Sequence, residues 1–185
     1  MRLSVAAPHL YNLAMSITFR PACPSDADAA VPLIYSSGPA AFDHVFSVPG
    51  KATALGFLRR ALVARQIMGS HGPVAGAGVV KRGLRVERII PPPDRRCWYV
   101  AHLGVPPELR GRGYGAALLA HLLEQGRSRG LPTAALDVAV TNPRAQSLCE
   151  RPGFAVTGER VSTLATAKAV VANHRRMELA LGTGT

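Results

Sequence analysis

The chain has little cysteine, few aromatic residues, few acidic side chains and no long apolar run. Its three cysteines, Cys23, Cys97 and Cys149, stand at wide and irregular spacing. That spacing predicts neither a disulfide framework nor a zinc site, so we expect reduced thiols in a cytoplasmic protein that holds no metal. No stretch approaches the roughly 20 uninterrupted apolar residues of a membrane helix. We therefore expect a soluble protein without a membrane partner.

The shortage of acidic residues leaves a strongly basic chain. It has 11 acidic against 22 basic side chains, which gives a formal net charge of +11. Such a charge attracts nucleic acid, an acidic membrane surface or a polyphosphorylated cofactor. The arginines are scattered, and only one Trp and few other aromatic residues are available to stack on bases. Nucleic-acid binding is therefore disfavoured, but it stays open as another use of the charge.

The length and the apolar content indicate one folded domain. With 185 residues, 48% of them hydrophobic, the chain can bury one ordinary core. Met15 reads like a second beginning of the chain, so we expect residues 1–14 to be a disordered extension and residues 15–185 to form the domain. Strands that alternate with helices predict an α/β fold with a mixed sheet.

Hydrophobic periodicity and turn residues predict the individual elements. Before residue 97 these are a strand around Ile17 and Phe19, helices over 29–35, 39–46 and 53–65, and strands over 66–68 and 74–80. From residue 97 they are a strand over 97–105, a glycine-rich loop over 110–115, a helix over 116–128, a strand over 134–140, a helix over 142–150, and strands over 154–161 and 176–181.

The loop Arg110-Gly111-Arg112-Gly113-Tyr114-Gly115 has the composition of a phosphate site. It joins a strand to a helix whose first N–H groups lack intrahelical partners and lie at the positive end of the helix dipole. Backbone amides in that position bind anions, and glycines allow an oxyanion to approach closely. The loop alone therefore predicts phosphate binding and no particular cofactor.

Two common phosphate-binding motifs fit this loop poorly. The nucleoside-triphosphate loop requires Gly-Lys followed by Ser or Thr, which the chain lacks. Gly111, Gly113 and Ala116 satisfy the dinucleotide fingerprint, and Asp137 follows at roughly the distance of a ribose-binding acid. However, five residues separate the strand from the first glycine, and only about 70 residues follow the motif. Those are too few to complete a doubly wound sheet.

A third family fits best, on two motifs in the correct order. Arg110-Gly-Arg-Gly113-Tyr-Gly115 matches the pattern Arg/Gln-x-x-Gly-x-Gly/Ala. The segment from Asn142 to Phe154 is similar to Asn-x-x-Ala-x-x-Leu-Tyr-x-x-x-Gly-Phe. Together they resemble the GCN5-related N-acetyltransferase (GNAT) superfamily, closely over about 50 residues and only topologically elsewhere.

The resemblance implies a fold, a reaction and a cofactor. The fold is a single GNAT-like α/β domain with a mixed, mostly antiparallel sheet that is splayed at its centre and has helices on both faces. The reaction is transfer of an acetyl group from acetyl-coenzyme A to a primary amine of a small molecule or a protein, by direct attack in a ternary complex. The resemblance also allows a homodimer through the final strands.

The resemblance also implies which residues meet the cofactor. Backbone groups around Leu103 and Val105 would pair with the pantetheine arm, amides between Gly111 and Ala116 would take the pyrophosphate, and Asn142 would meet the pantetheine or acyl region. The residues expected to bind the cofactor are Leu103, Val105, Arg110, Gly111, Arg112, Gly113, Gly115, Ala116 and Asn142.

Three residues are catalytic candidates. Family members protonate the leaving thiolate with a Tyr at the position of Cys149, and a thiol there can donate a proton or only pack. His102 has a suitable pKa for a general base, and family members place a base near the position of Tyr99. Strand alternation points Tyr99 and His102 in opposite directions. Asp137 is a further group that could hold a water molecule or the substrate ammonium.

The acceptor stays open among a small amine, an antibiotic, an amino acid and a protein amino group. The positive surface disfavours a polycationic acceptor. Cys149 in place of tyrosine keeps one alternative open, which is a module of the same fold that binds acyl-coenzyme A without efficient transfer. The other alternative is the basic nucleic-acid binder.

Overall fold

The structure, a computed structural model, describes residues 19–20, 24–36, 38–39, 55–56, 59, 96–163 and 170–182. The helices and strands in those ranges are α1 (Ala27–Ser36), β1 (Cys97–Tyr99), α2 (Tyr114–Ser128), β2 (Thr133–Ala139), α3 (Pro143–Glu150), β3 (Ala155–Arg160) and β4 (His174–Ala180). Single turns of 3-10 helix lie at Pro24–Asp26 and Pro107–Leu109. The predicted boundary between residues 14 and 15, and most of the elements predicted over 39–80, lie outside the described residues.

The four strands form one mixed sheet in the order β1-β2-β4-β3. β1 and β2 are parallel, and their register runs from Cys97 opposite Thr133 to Tyr99 opposite Ala135. β2 with β4 and β4 with β3 are antiparallel, and the second pair is irregular near Val156. Two of the three pairings are antiparallel, which confirms the expected mixed and mostly antiparallel sheet.

One face of the sheet carries the hydrophobic core. Alternate residues of β2, Ala134, Leu136 and Val138, pack with Leu119 and Leu123, which lie one helical turn apart on α2. Cys149 and Phe154 bring α3 and the turn after it into the same cluster. The sheet and these two helices thus bury one continuous apolar layer.

Helix α2 approaches the sheet so closely at Gly126 that only glycine fits. A Cβ atom on Gly126 would lie 2.9 Å from Cγ of Trp98 and 2.9 Å from Cδ1 of Leu181. Because Trp98 belongs to β1, this contact fixes the distance between β1 and the helix that follows the glycine loop.

The opposite face of the sheet is polar along its centre. In the β2–β4 register, Asp137 lies opposite Arg176 and Ala139 lies opposite His174. Ala139 and His174 line a hollow together with Ser36, the last residue of α1. Helix α1 therefore ends on this face, which confirms the expectation of helices on both faces.

The parallel strands separate where the sequence predicted one continuous strand over 97–105. β1 ends at Tyr99, and the last backbone hydrogen bond to β2 runs from the N–H of Val100 to O of Ala135, at 2.9 Å. Among the described residues, no backbone hydrogen bond joins 101–105 to the rest of β2. The segment instead approaches α1, where a Cβ on Gly104 would lie 3.1 Å from Cβ of Leu33. This opening is the expected splay.

Local capping chemistry sets the ends of the other helices. α2 begins at Tyr114, two residues before the predicted start, and Gly130 follows it with φ of 66° in the left-handed region. α3 begins as predicted, because Oδ1 of Asn142 accepts the N–H of Ala145 at 3.1 Å and Pro143 occupies the first helical position. No helix in the described ranges is long and apolar enough to cross a membrane.

Candidate functional site

The loop before α2 exposes backbone amides to open space. Gly111 and Gly113 have φ of 79° and 84°, and a Cβ on either would meet no atom within 4 Å. Gly113 is the N-cap of α2 and no side chain caps the helix. The first helical bond runs from the N–H of Ala117 to O of Gly113 at 3.0 Å, so the preceding amides have no intrahelical acceptor. Together with the helix dipole they form a cradle for an anion.

The two arginines of the loop are exposed, and one of them braces it. Nε of Arg110 donates to O of Val105 at 2.9 Å. This bond fixes the turn between the parted strand and the loop and occupies one side of the Val105 carbonyl. Arg110 and Arg112 both belong to the loop that carries the amide cradle, so they add positive charge to this part of the surface.

The structure brings the two sequence motifs into contact. A Cβ on Gly115 would lie 3.3 Å from Cδ2 of Leu148, so α3 packs against the first turn of α2. Ala116 is exposed and lines a hollow of about 280 Å³ between the two helices. Arg127 and Arg151 also line that hollow.

The remaining residues expected to bind the cofactor border the opening between β1 and β2. Leu103 is half-buried, and its side chain packs against the core cluster. Asn142 is exposed, and its Oδ1 is occupied by the cap of α3. The amide NH₂ of Asn142 is the donor that this cap leaves for a bound molecule.

Tyr99 belongs to a hydrogen-bonded cluster that joins three strands. Its hydroxyl donates to Oδ2 of Asp137 at 2.6 Å, and Arg176 donates to both oxygens of Asp137, from Nε at 2.9 Å and from Nη2 at 3.0 Å. The side chains of Asp137 and Arg176 are 3% and 12% exposed. Burial, and then the neighbouring Asp137 carboxylate, raise the pKa of Tyr99 well above its usual value. The phenol therefore keeps its proton, which suits a hydrogen-bond donor and disfavours a general base.

The sequence did not reveal that Arg176 is the partner of Asp137. The two residues are 39 positions apart, and only the β2–β4 register places them side by side. With a bidentate arginine on one side and the Tyr99 hydroxyl on the other, the carboxylate is neutralised inside the sheet. The Asp137 carboxylate is therefore already bound on both sides and is not positioned to bind a substrate ammonium or a ribose.

His102 and Cys149 lie in different surroundings. His102 follows β1 in the parted segment and has exposed surface. Desolvation of the ring lowers the pKa of His102 to about 4. The ring is neutral at pH 7. Cys149 is 4% exposed within the core cluster, and burial raises the pKa of its thiol to about 11. It is therefore a protonated thiol packed among apolar side chains.

A second hollow lies at the carboxyl end of β2. It has a volume of about 350 Å³, and its lining includes Ser36 and Gly38 near α1, Thr141 and Asn142 before α3, and His174 at the start of β4. Nδ1 of His174 is enclosed and has no hydrogen-bond partner. His174 could not be singled out from the sequence, because no motif surrounds it and the register that brings it to the hollow is non-local.

Comparison with known proteins places this site in a family. Residues 56–154, more than half of the chain, match the acetyltransferase (GNAT) family. No curated protein sequence matches the chain.

Three similar solved structures are named as acetyltransferases. The ribosomal-protein-S18-alanine N-acetyltransferase from Escherichia coli is 27% identical with a TM-score of 0.41, and the match covers 48% of this chain and 57% of that one. Nourseothricin acetyltransferase is 27% identical with a TM-score of 0.42, over 47% of this chain and 51% of that one. The spermidine/spermine N-acetyltransferase from Vibrio cholerae is 26% identical with a TM-score of 0.40, over 45% and 49%. The chain thus spans about half the length of these proteins. On the match over residues 56–154, the chain belongs to the GNAT family of acetyltransferases.

Proposed function

We propose that the chain transfers an acetyl group from acetyl-coenzyme A to a primary amine of a small molecule or a protein. The observation that carries this proposal is the position of the amide cradle at Gly111 and Gly113. It lies directly after the segment where β1 has parted from β2. A polyphosphorylated thioester can therefore anchor its phosphates at the start of α2 while its arm lies along backbone that β2 leaves unpaired.

The residues present fit this cofactor. The amides from Gly111 to Ala116, with Arg112 beside them, would hold the pyrophosphate. Backbone groups of Leu103 and Val105 would hold the pantetheine arm, although the Val105 carbonyl already accepts one bond from Arg110. The NH₂ group of Asn142 would meet the pantetheine or acyl region, because its oxygen is committed to the helix cap. Acetyl-coenzyme A supplies the activated acyl group.

Direct attack in a ternary complex requires a neutral amine, an oriented thioester and a proton for the departing thiolate. Among the three catalytic candidates, His102 is neutral at pH 7 and can accept a proton. Tyr99 keeps its proton beside Asp137 and serves better as a donor that fixes β1. Cys149 stands at the position of the family's tyrosine and retains its proton, but it is enclosed in the core.

The acceptor is best sought with a panel of amines. An alanine-initiated peptide, benzylamine, spermidine and nourseothricin cover a protein terminus, a simple monoamine, a polyamine and an antibiotic. The formal charge of +11 disfavours the polycations in this panel. The assay follows release of the coenzyme A thiol and identifies each acetylated amine by mass spectrometry. Acetylation of at least one amine, above the rate without enzyme, supports the proposal, whereas a folded sample that acetylates none contradicts it.

The alternative function is an acyl-coenzyme A-binding module without efficient transfer. The burial of Cys149 in the core favours this alternative, because it removes the usual proton donor from the site. Tight binding of acetyl-coenzyme A together with no turnover on the whole panel would select it over catalysis.

We further propose a cytoplasmic domain over residues 15–185 that forms a homodimer. The buried thiol of Cys149, which forms no disulfide, supports a reducing compartment. β3 is the last strand in the sheet order, and all its residues are exposed, including Val156 at 45%. An exposed edge strand is a template for pairing with another chain. A monomeric mass in sedimentation analysis would contradict the proposed homodimer.

A further inference from the structure

The hollow at the carboxyl end of β2 shares Asn142 with the proposed cofactor site, and its other lining residues have no assigned role. Most of its lining is uncharged, and includes Val170, Val171 and Ala172 before β4 and the hydroxyl groups of Ser36 and Thr141. In the described part of its wall there is no carboxylate, and the one ionisable side chain is His174.

The hollow lies on the open side of the parted strands. Ala139, the last residue of β2, lines it beyond the point where the pairing with β1 has ended at Ala135. Asn142 lines it as well and begins α3, and that helix contacts Gly115 of the glycine loop through Leu148. Helix α3 thus connects the amide cradle, which it contacts through Leu148, to the hollow, which Asn142 lines.

His174 lines this space. Its Nδ1 is enclosed without a hydrogen-bond partner, so Nε2 is the ring nitrogen that we assign to a bound molecule. Burial lowers the pKa of His174 below its usual value, while the Ala172 backbone and the Asp137 carboxylate oppose that change. The ring is therefore neutral at pH 7.

Charged groups surround the ring on two neighbouring strands and on its own. Asp137 on β2 is neutralised by Arg176 on β4, and Arg160 on β3 is in register with His174. Ser36 at the end of α1 and Gly38 after it reach the hollow and carry no charge.

We propose that this hollow receives the acceptor amine and that Nε2 of His174 takes the proton that the amine loses. The inference rests on the proposed acetyl transfer and assigns its acceptor side. The amine nitrogen forms a bond to the acyl carbon and the carbon–sulfur bond breaks. The thiolate leaves with the electron pair and is protonated by water, while the amine proton passes to His174 and then to solvent. The described part of the wall carries no carboxylate and includes several apolar side chains, which suits a monoamine with a small, weakly polar body better than a polyamine.

The test compares His174→Gln with two matched variants, using benzylamine and an alanine-initiated peptide as acceptor probes. Gln has a similar length but cannot take a proton. His121→Gln is the control, because His121 lies on α2, stacked on Phe19, and does not line the hollow. His102→Gln tests the rival base. We expect His174→Gln to lower kcat/KM by about 100-fold or more, the typical contribution of a general base, with acetyl-coenzyme A affinity unchanged. His121→Gln should leave both unchanged.

Two further measurements distinguish a catalytic role of His174 from a structural one. Added imidazole should restore part of the activity of His174→Ala, which a structural role would not allow. In the wild-type chain, the slope of log kcat/KM against pH should increase below pH 6.5. In that range His174 becomes protonated and can no longer accept a proton. This wild-type profile also tests the proposal if neither variant folds.

Several results would overturn the inference. They are full activity of His174→Gln, loss of activity in His102→Gln alone, turnover of spermidine but of neither probe, or a wild-type profile without the steeper limb. A wild-type chain that binds no acetyl-coenzyme A or acetylates no amine contradicts the proposed function itself, and the inference then falls with it.

Discussion

Gly113 offers a sharp test of the amide cradle. Its φ of 84° lies in the left-handed region, and an added Cβ would meet no atom within 4 Å. Gly113→Ala therefore introduces backbone strain without a clash inside the protein. Non-glycine residues pay roughly 1–2 kcal/mol in that region, partly offset by the smaller entropy of the unfolded chain, about 0.4–1 kcal/mol. We expect a net loss of stability of about 1 kcal/mol, which is about 2–4 °C in Tm for a chain of this size.

The same methyl group would stand where a phosphate must approach the amides. Loss of one or two charge-assisted hydrogen bonds costs roughly 1.5–3 kcal/mol. We therefore expect acetyl-coenzyme A to bind about 10- to 100-fold more weakly to Gly113→Ala. Isothermal titration calorimetry measures the affinity, and thermal unfolding measures the stability of the same sample.

Gly130 provides a matched control at the other end of α2. It also has a left-handed φ, 66°, and open space around an added Cβ. Gly130→Ala should lose the same stability but keep its full affinity for acetyl-coenzyme A. Equal affinities of the two variants would refute the assignment of the cradle, whether both bind well or both bind poorly.

Three further predictions concern stability and thiol chemistry. Tyr99→Phe removes the hydrogen bond to the buried Asp137 carboxylate and should lower the free energy of unfolding by about 1.5–3 kcal/mol in urea denaturation; an unchanged midpoint would contradict the cluster. Gly126→Ala forces a Cβ to 2.9 Å from Cγ of Trp98 and should destabilise by about 1–3 kcal/mol despite better helix propensity. The Cys149 thiol, with its pKa raised to about 11 by burial, should react with a disulfide reagent at pH 8 only after unfolding. Its folded pKa exceeds its unfolded pKa, so its contribution to stability is complete below pH 9 and is lost as the pH rises towards 11.

Local chemistry made several elements predictable from the sequence. The start of α3 follows from Asn142 and Pro143, which supply a side-chain cap and a proline at the first helical position. The end of α2 follows from Gly130, which adopts the left-handed conformation that the sequence led us to expect. The mixed, splayed character of the sheet followed from the family resemblance. For the two helix ends, the signal lay within a few residues of the feature.

Features that depend on distant partners were not predictable in the same way. The apolar run over 97–105 predicted one long strand, yet β1 stops at Tyr99 because its segment turns towards α1 at Gly104. The pairing of Asp137 with Arg176, and the arrival of His174 at the hollow, depend on the register of β2 with β4. Sequence periodicity places such residues on a face, but only the register decides which of them meet.

The most direct test of the central claim is calorimetric titration of the purified chain with acetyl-coenzyme A, with coenzyme A and NAD titrated in parallel. The glycine loop and the parted strands predict saturable binding of acetyl-coenzyme A and none of NAD. A folded sample that binds neither, or that prefers NAD, would contradict the assignment of the loop as an acetyl-coenzyme A site.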